Sequence, residues 1–458
     1  MALFLVPLYT RLIPPEQYGV LELFGTLTAT LMLLAILGMD SALALFYYDT
    51  SSERERMRLA STALLVRLGV AVLLAGAGIA AASFLDRTLF QSLGYADLLR
   101  WTFAVFPFQV LQVFVLDYLR LRRRPWRYTL VNLVGVLLTM GIGLFLVIVM
   151  KLGVTGLIIA NMVSYAVMAL MGFCMVLDGL GREFAWQDAR RMLAYGLPLV
   201  PGSVAAWVIM FGDRYFMSHY LDLAQIGIYA IGLKIASVMA LASSSFQLAW
   251  SPFAYSIKHD PQAKQNYALA FSLFMGAGIS GAVLLGLFAS NILVLLVDPS
   301  YADAGPIIGV LALVPVMVGG YFVASIGLNL TLKTAYVSLA TGLAAIVSLL
   351  ANALLIPRWG IVGAAGASLA AQLVSLVTVY LFAQRFYPIP YPSGRVAGVF
   401  MLGIAALAAG WKLPELYPQM GAWLKLGVFA GYGTLSCLML LPTYVPGIGR
   451  VLARGRQG

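Results

Sequence analysis

From residue 18 to residue 441 the sequence is a succession of long apolar runs with short connections and no regular alternation of polar and apolar residues. No other feature limits the fold so strongly. Roughly 20 apolar residues are the length that crosses the hydrocarbon core of a bilayer as a helix. Such runs are read at 18–45, 60–85, 101–119, 128–150, 154–177, 192–211 and 226–249. They continue at 267–297, 306–330, 335–356, 361–382, 396–410 and 422–441. Composition points the same way: 62% of residues are hydrophobic, 10% are charged, and mean hydropathy is +0.92. Soluble chains run at about 45–50% apolar and about 25% charged. In lipid every backbone polar group must be satisfied internally, so the choice is helices or a closed barrel. Barrel strands would alternate polar and apolar, and these runs do not.

Ahead of them, residues 1–13 are apolar and stop at Pro14-Pro15. Thirteen residues rise about 20 Å as helix, short of a core of roughly 30 Å. The segment either spans part of the membrane or begins upstream of Met1, and the upstream start is the expectation. It has neither the basic start nor the small-residue cleavage site of a secretory signal. With it the reading is an all-α polytopic membrane protein of about 14 transmembrane helices.

The connections set the orientation. Nineteen of the 29 Lys and Arg fall in every second connection and the tail, among them Arg54, Arg122, Arg182, Arg191, Lys258 and Arg456. Seven fall in the opposite set. The positive-inside rule makes the first set cytoplasmic. With an even helix count, both termini are then cytoplasmic. The net charge of +11 is explained by cytoplasmic anchoring and needs no nucleic-acid partner.

A ten-residue pattern occurs twice, as KLGVTGLIIA from Lys151 and as RWGIVGAAGA from Arg358. Tyr95-Ala96-Asp97 recurs as Tyr301-Ala302-Asp303, and Gln17 and Gly19 recur as Gln225 and Gly227. All three matches share an offset of 206 to 208 positions. Recurrent turn glycines explain one match, not three in register. The expectation is a duplicated six-helix unit. Six is even, so the halves are parallel, related by a pseudo-two-fold axis along the membrane normal, with substrate handled between them. The lobes are assigned to 1–180 and 181–385, and 386–458 to two additional C-terminal helices and a basic tail.

Catalytic chemistry is sparse. The two His and two Cys are far apart, no metal spacing or nucleotide loop appears, and no cofactor or catalytic residue is assigned. What remains is ionisable residues at membrane depth, which are functional hypotheses by default. Glu22, Arg67, Lys234 and Lys425 lie within helices. Arg11, Asp213 and Arg214 lie near outer ends, and Asp40 and Asp117 near inner ends. Snorkelling to the headgroups is the simpler reading for Lys425, Asp40 and Asp117. For Arg67 and Lys234, roughly two turns inside, snorkelling and cavity lining stay open. A cavity lined by these bases favours an anionic substrate. Arg11, Arg67, Lys234 and Arg214 are the substrate-binding candidates. Glu22, Asp213 and Asp40 are the gating or coupling candidates.

The stretches PLYTRLIPPEQYGVLELF (7–24), GDRYFMSHYLDLAQIGIYAIGLKIA (212–236), DPSYADAGPII (298–308) and RWGIVGAAGASLA (358–370) resemble the Wzx-type polysaccharide flippases. Those belong to the multidrug/oligosaccharidyl-lipid/polysaccharide exporter superfamily. The resemblance implies two six-helix lobes and alternating access. It implies transfer of an undecaprenyl-pyrophosphate-linked oligosaccharide from the cytoplasmic to the periplasmic leaflet of the bacterial inner membrane. The use is O-antigen or exopolysaccharide synthesis, alongside the polymerase and export machinery of the same pathway. By motif match Arg11 and Lys234 occupy places where relatives carry cationic cavity residues. Charge does not cross hydrocarbon unaided, so a cationic wet cleft would carry the headgroup while the polyprenyl tail stays in lipid. Release then needs a second conformation or an ion, with a proton or sodium gradient as its source.

Three rivals remain. A cation-coupled multidrug exporter would need deep carboxylates, and only Glu22 supplies one. A polymerase or ligase would need a large outer loop, and the longest, about residues 86–100, is short. A flippase for another lipid-linked precursor, such as that of peptidoglycan, keeps the fold and changes the cargo. The repeat also aligns Thr26 with Lys234, one turn from Glu22. A gate pairing Glu22 with Lys234 is therefore one expectation, and a Glu22–Arg11 pair is the other.

Overall fold

The computed structural model describes residues 2–90, 94–181, 183–416 and 421–454, with 2–5, 413–416 and 441–454 as backbone alone. Arg182 and Arg456 of the basic connections lie outside the described residues. Among the described residues every regular element is a helix, and twelve helical stretches are long and apolar enough to cross a membrane. The longest, Ala335–Phe386, holds two helices, because Gly360 (φ 56°, ψ −133°) breaks it one turn after Pro357. Proline removes a helical donor and crowds the preceding turn. Counted as two, and joined by the short Ala2–Leu12, it gives the fourteen segments read from the sequence.

The chain forms two compact units. The first comprises Leu12–Trp207 and Asp222–Gly227, the second Met1–Arg11, Val208–Leu221 and Ile228–Gly458. Helix α1 is Ala2–Leu12, and α2 (Pro15–Ile36) opens with proline at its first turn, where a missing N–H costs nothing. It ends at Leu37 and Gly38, both left-handed (φ 52° and 68°). Then follow α3 (Met39–Asp49), α4 (Glu53–Leu89), α5 (Ala96–Leu121), α6 (Pro125–Leu144), α7 (Gly153–Val176) and α8 (Trp186–Gly196). In the first unit α5 packs against α4 and α7, and α7 against α6. Its main core gathers Met39, Leu59, Leu111, Phe114, Tyr118 and Met168. Between transmembrane helices lipid is as apolar as the partner, so such packing, not water exclusion, holds the bundle.

Helices α9 (Val200–Tyr220) and α10 (Leu223–Ser256) pass from the first unit into the second. The second continues with α11 (Ala263–Leu287), α12 (Ala289–Leu296), α13 (Gly305–Ala324), α14 (Ile326–Leu330) and α15 (Ala335–Phe386). It ends with α16 (Ser393–Leu416) and α17 (Gly421–Arg454). There α13 packs against α11 and α15, and α16 and α17 pack against each other and against α11.

The repeated ten-residue pattern has one backbone signature in both copies. Gly153 (φ 54°) and Gly360 (φ 56°) are the first glycines of the two copies, and both have positive φ. The next glycine of each copy abuts the helix before it: a Cβ on Gly156 would meet Leu146, and one on Gly363 would meet Leu355. The pattern is thus a sharp helix–helix turn that only glycine closes.

Candidate functional site

Side chains that could meet a charged or hydroxylated ligand fall into three groups, each inside one unit. The first is centred on Arg67 of α4, which is 1% exposed. Its Nη1 lies 3.5 Å from Asp117 of α5, and its guanidinium stands 5.7 Å from the ring centre of Phe114. Asp117 also holds Arg120, and Asp40 adds a second negative charge to the field at Arg67. Even so, Arg67 Nε, Nη1 and Nη2 have no hydrogen-bond partner among the described residues. Buried donors are nearly always bonded, and an ion pair without hydrogen bonds offsets little of the desolvation. This cation therefore has spare donor capacity.

The second group is in the other unit. Asp213 of α9 is 3% exposed. One carboxylate oxygen accepts from the Arg214 N–H at 2.9 Å and from Arg214 Nη1 at 2.7 Å. The other accepts from the Tyr229 hydroxyl of α10 at 2.6 Å and the Ser368 hydroxyl of α15 at 3.5 Å. Arg214 Nη1 also donates to the Met210 carbonyl at 2.7 Å. The two charges are thus spent on each other and on three helices. The sequence marks both residues but not the Tyr229 and Ser368 donors that enclose them.

The other predicted residues lie on further elements. Exposed Arg11 ends α1. Half-buried Glu22 lies on α2 in the first unit, and half-buried Lys234 lies on α10 in the second. Asp40 is exposed in the first turn of α3, beside the Leu37-Gly38 break. Two carboxyls outside the spans are shifted below their ordinary values. A hydrogen bond from Arg54 does this to Glu183. Hydrogen bonds from Ser300 N and Oγ, at 3.0 and 2.7 Å, do it to Asp298 in the DPSYADAG stretch.

The third group carries no charge. A cavity of about 110 Å³ in the first unit is lined by Thr28 of α2, Thr102 and Gln109 of α5, and Asn161 and Tyr165 of α7. Phe24 and Phe106 supply apolar walls. None of these residues is charged at neutral pH, so charge at membrane depth does not mark them in the sequence. A signal was present: Thr102 and Gln109 are two turns apart, and Asn161 and Tyr165 one turn apart. Uncharged polar residues therefore share a face within apolar helices.

The family model described as "Polysaccharide biosynthesis protein" matches residues 8–267, more than half of the chain. The chain belongs to this family. No curated protein matches it. Among solved structures, one titled lipid II flippase MurJ in an inward closed conformation superposes with a TM-score of 0.73 at 14% identity. That match covers 95% of this chain and 96% of the other. An inward-facing multidrug resistance MATE family transporter of the MOP superfamily gives a TM-score of 0.65 at 16% identity, covering 83% of this chain and 92% of that one. An outward-facing MATE structure gives 0.55 at the same identity. The family member therefore has the helical membrane fold shared by MurJ and the MATE transporters.

Proposed function

We propose that this multi-pass membrane protein is a flippase for an anionic, polyprenyl-pyrophosphate-linked oligosaccharide. It moves the cargo from the cytoplasmic to the periplasmic leaflet of a bacterial inner membrane by alternating access, for O-antigen or exopolysaccharide synthesis. The observation that carries this reading is the family match over residues 8–267 on a transporter-type fold. The chemistry is compatible. A pyrophosphate and hydrated sugars cross hydrocarbon only at a cost of several kcal/mol per charge, and positioned cations remove that cost without covalent steps. The protein acts as a transporter, not an enzyme.

In this reading Arg11, Lys234 and Arg67 contact the diphosphate. Arg67 has unspent donors and reaches the diphosphate only after a rearrangement that uncovers it. Arg214 joins them when its bond to Asp213 opens. Glu22, Asp213 and Asp40 carry gating or coupling to a proton or sodium gradient. Both termini face the cytoplasm, and the polymerase and export machinery of the pathway are the partners. The division into lobes at 1–180 and 181–385, with two further helices, belongs to the same proposal. A second reading, a peptidoglycan-type precursor as cargo, is favoured by the likeness to the protein titled lipid II flippase.

The test is flipping of lipid-linked oligosaccharide in proteoliposomes, with and without proton or sodium gradients. Transfer of the oligosaccharide lipid supports the first reading. Transfer of lipid II alone replaces it with the second. Rates indifferent to both gradients remove the coupling role of the three carboxylates.

A further inference from the structure

The cavity between α2, α5 and α7 is unlike the charged groups. No Lys, Arg, Asp or Glu lines it, so it has nothing to hold a diphosphate, nor any carboxylate for a cation. Its polar groups nevertheless have a definite sense. The Thr28 hydroxyl donates to the Phe24 and Gly25 carbonyls at 3.1 and 3.0 Å. The Thr102 hydroxyl donates to the Leu98 carbonyl at 2.8 Å. Asn161 Nδ2 donates to the Leu157 carbonyl at 3.0 Å. Each has spent a donor on its own helix and keeps acceptor lone pairs. Gln109 adds an amide and Tyr165 a phenol. The cavity is therefore rich in acceptors.

A ligand that suits it is uncharged, brings several hydroxyl donors and has an apolar face for Phe24, Phe106 and Tyr165. Aromatic faces beside a few placed polar groups are the usual composition of a small-molecule site. An isoprenoid chain would leave the acceptors unpaired. At about 110 Å³ the cavity lies well below the roughly 300–1,000 Å³ of pockets for drug-sized ligands, so it takes part of a single ring and not a whole oligosaccharide.

We infer that this cavity is a subsite for one sugar ring of the cargo, read through Thr28, Thr102, Gln109, Asn161 and Tyr165. The inference rests on the flippase reading for its source of sugar, but the binding chemistry stands apart from transport. The subsite would supply selectivity for the glycan, while the diphosphate is held by cations elsewhere.

The probes are free N-acetylglucosamine, glucose and galactose, each mixed with purified protein in nanodiscs and followed by saturation-transfer NMR. Wild-type protein is expected to transfer saturation to the ring protons of at least one sugar. Gln109→Met/Asn161→Leu, whose side chains match in length but cannot bond, should reduce the transfer at least tenfold while leaving the melting temperature within a few degrees. In proteoliposomes the same double variant should raise the half-saturating concentration of lipid-linked oligosaccharide at least fivefold, with the maximal rate largely retained. A melting temperature that collapses moves the test to Thr28→Val alone, with the same readouts. No transfer to any of the three sugars, or a folded variant with wild-type transfer and half-saturation, overturns the inference. Sugar binding in a protein that flips no lipid-linked glycan overturns the transport reading instead and leaves the subsite standing.

Discussion

Arg67 shows what a single residue reveals in sequence and what it hides. A base two turns inside an apolar run is visible without a structure. Its enclosure to 1% exposure and its dependence on Asp117 are not, because helical periodicity says which face a residue occupies but not what covers that face. Asp117 near a helix end reads as a snorkelling anchor, yet its carboxylate stands between Arg67 and Arg120. Removing that carboxylate leaves a buried guanidinium uncompensated, which costs more than losing the pair altogether. Asp117→Asn should therefore destabilise the protein by about 3 kcal/mol, the low end for a broken buried pair, since Asp117 is part exposed. Arg67→Met in the same background should recover most of that loss. Heating followed by size-exclusion detection of the folded fraction measures both. A double variant less stable than Asp117→Asn alone would show that Arg67 is held by something other than Asp117.

Among elements, the helix runs were legible because length and hydropathy fix them, and the break at Gly360 was legible as the repeat. The tight crossings were not. Gly19, at the start of α2, has the Leu223 carbonyl where a Cβ would stand, and Gly227, at the start of α10, has the Pro15 carbonyl there. These four residues belong to the first unit. Pro15 and Leu223 are separated by the same 208 positions as Gly19 and Gly227, so the crossing repeats the internal symmetry of the sequence. The shared Gln-x-Gly spacing announced the equivalence but not the contact. Gly19→Val and Gly227→Val must each push two backbones apart, so both should lower the folded yield sharply, while Gly25→Ala, which meets nothing within 4 Å, should not. Equal yields for the three would mean that the helix ends separate at little cost. Gly360 and Gly366 give a second contrast within α15. At Gly360 the combination of φ 56° and ψ −133° is open essentially to glycine alone, and Ala there should cost about 1–3 kcal/mol. Gly366 is helical, with only Leu355 Cδ1 at 3.9 Å. Ala there should stabilise by about 0.5–1 kcal/mol, the ordinary helix preference. Opposite shifts in melting temperature are the expected result.

At the scale of the molecule, the distribution of Lys and Arg predicts which way it lies in the membrane. In the folded first unit many of the basic connections are neutralised: Arg54 bonds Glu183 at 2.6 Å, Arg58 bonds Asp188 at 2.8 Å, and Arg122 and Arg124 bond Asp178 at 3.0 and 3.1 Å. By net charge this end is only modestly basic. Orientation, however, is set as helices insert, before distant partners such as Arg58 and Asp188 can meet, and acidic residues near helix ends weigh little in it. The count of Lys and Arg should therefore prevail over the net charge of the finished fold. The native thiols, Cys174 and Cys437, are exposed and are first replaced by Ala. In that background Asp49→Cys should be shielded from a membrane-impermeant maleimide added to intact cells with a permeabilised outer membrane, and Arg87→Cys should be labelled. Disrupting the inner membrane should make both reactive. Labelling of Asp49→Cys but not Arg87→Cys in intact cells would reverse the molecule. The proposed direction of transfer would then have to be reversed with it.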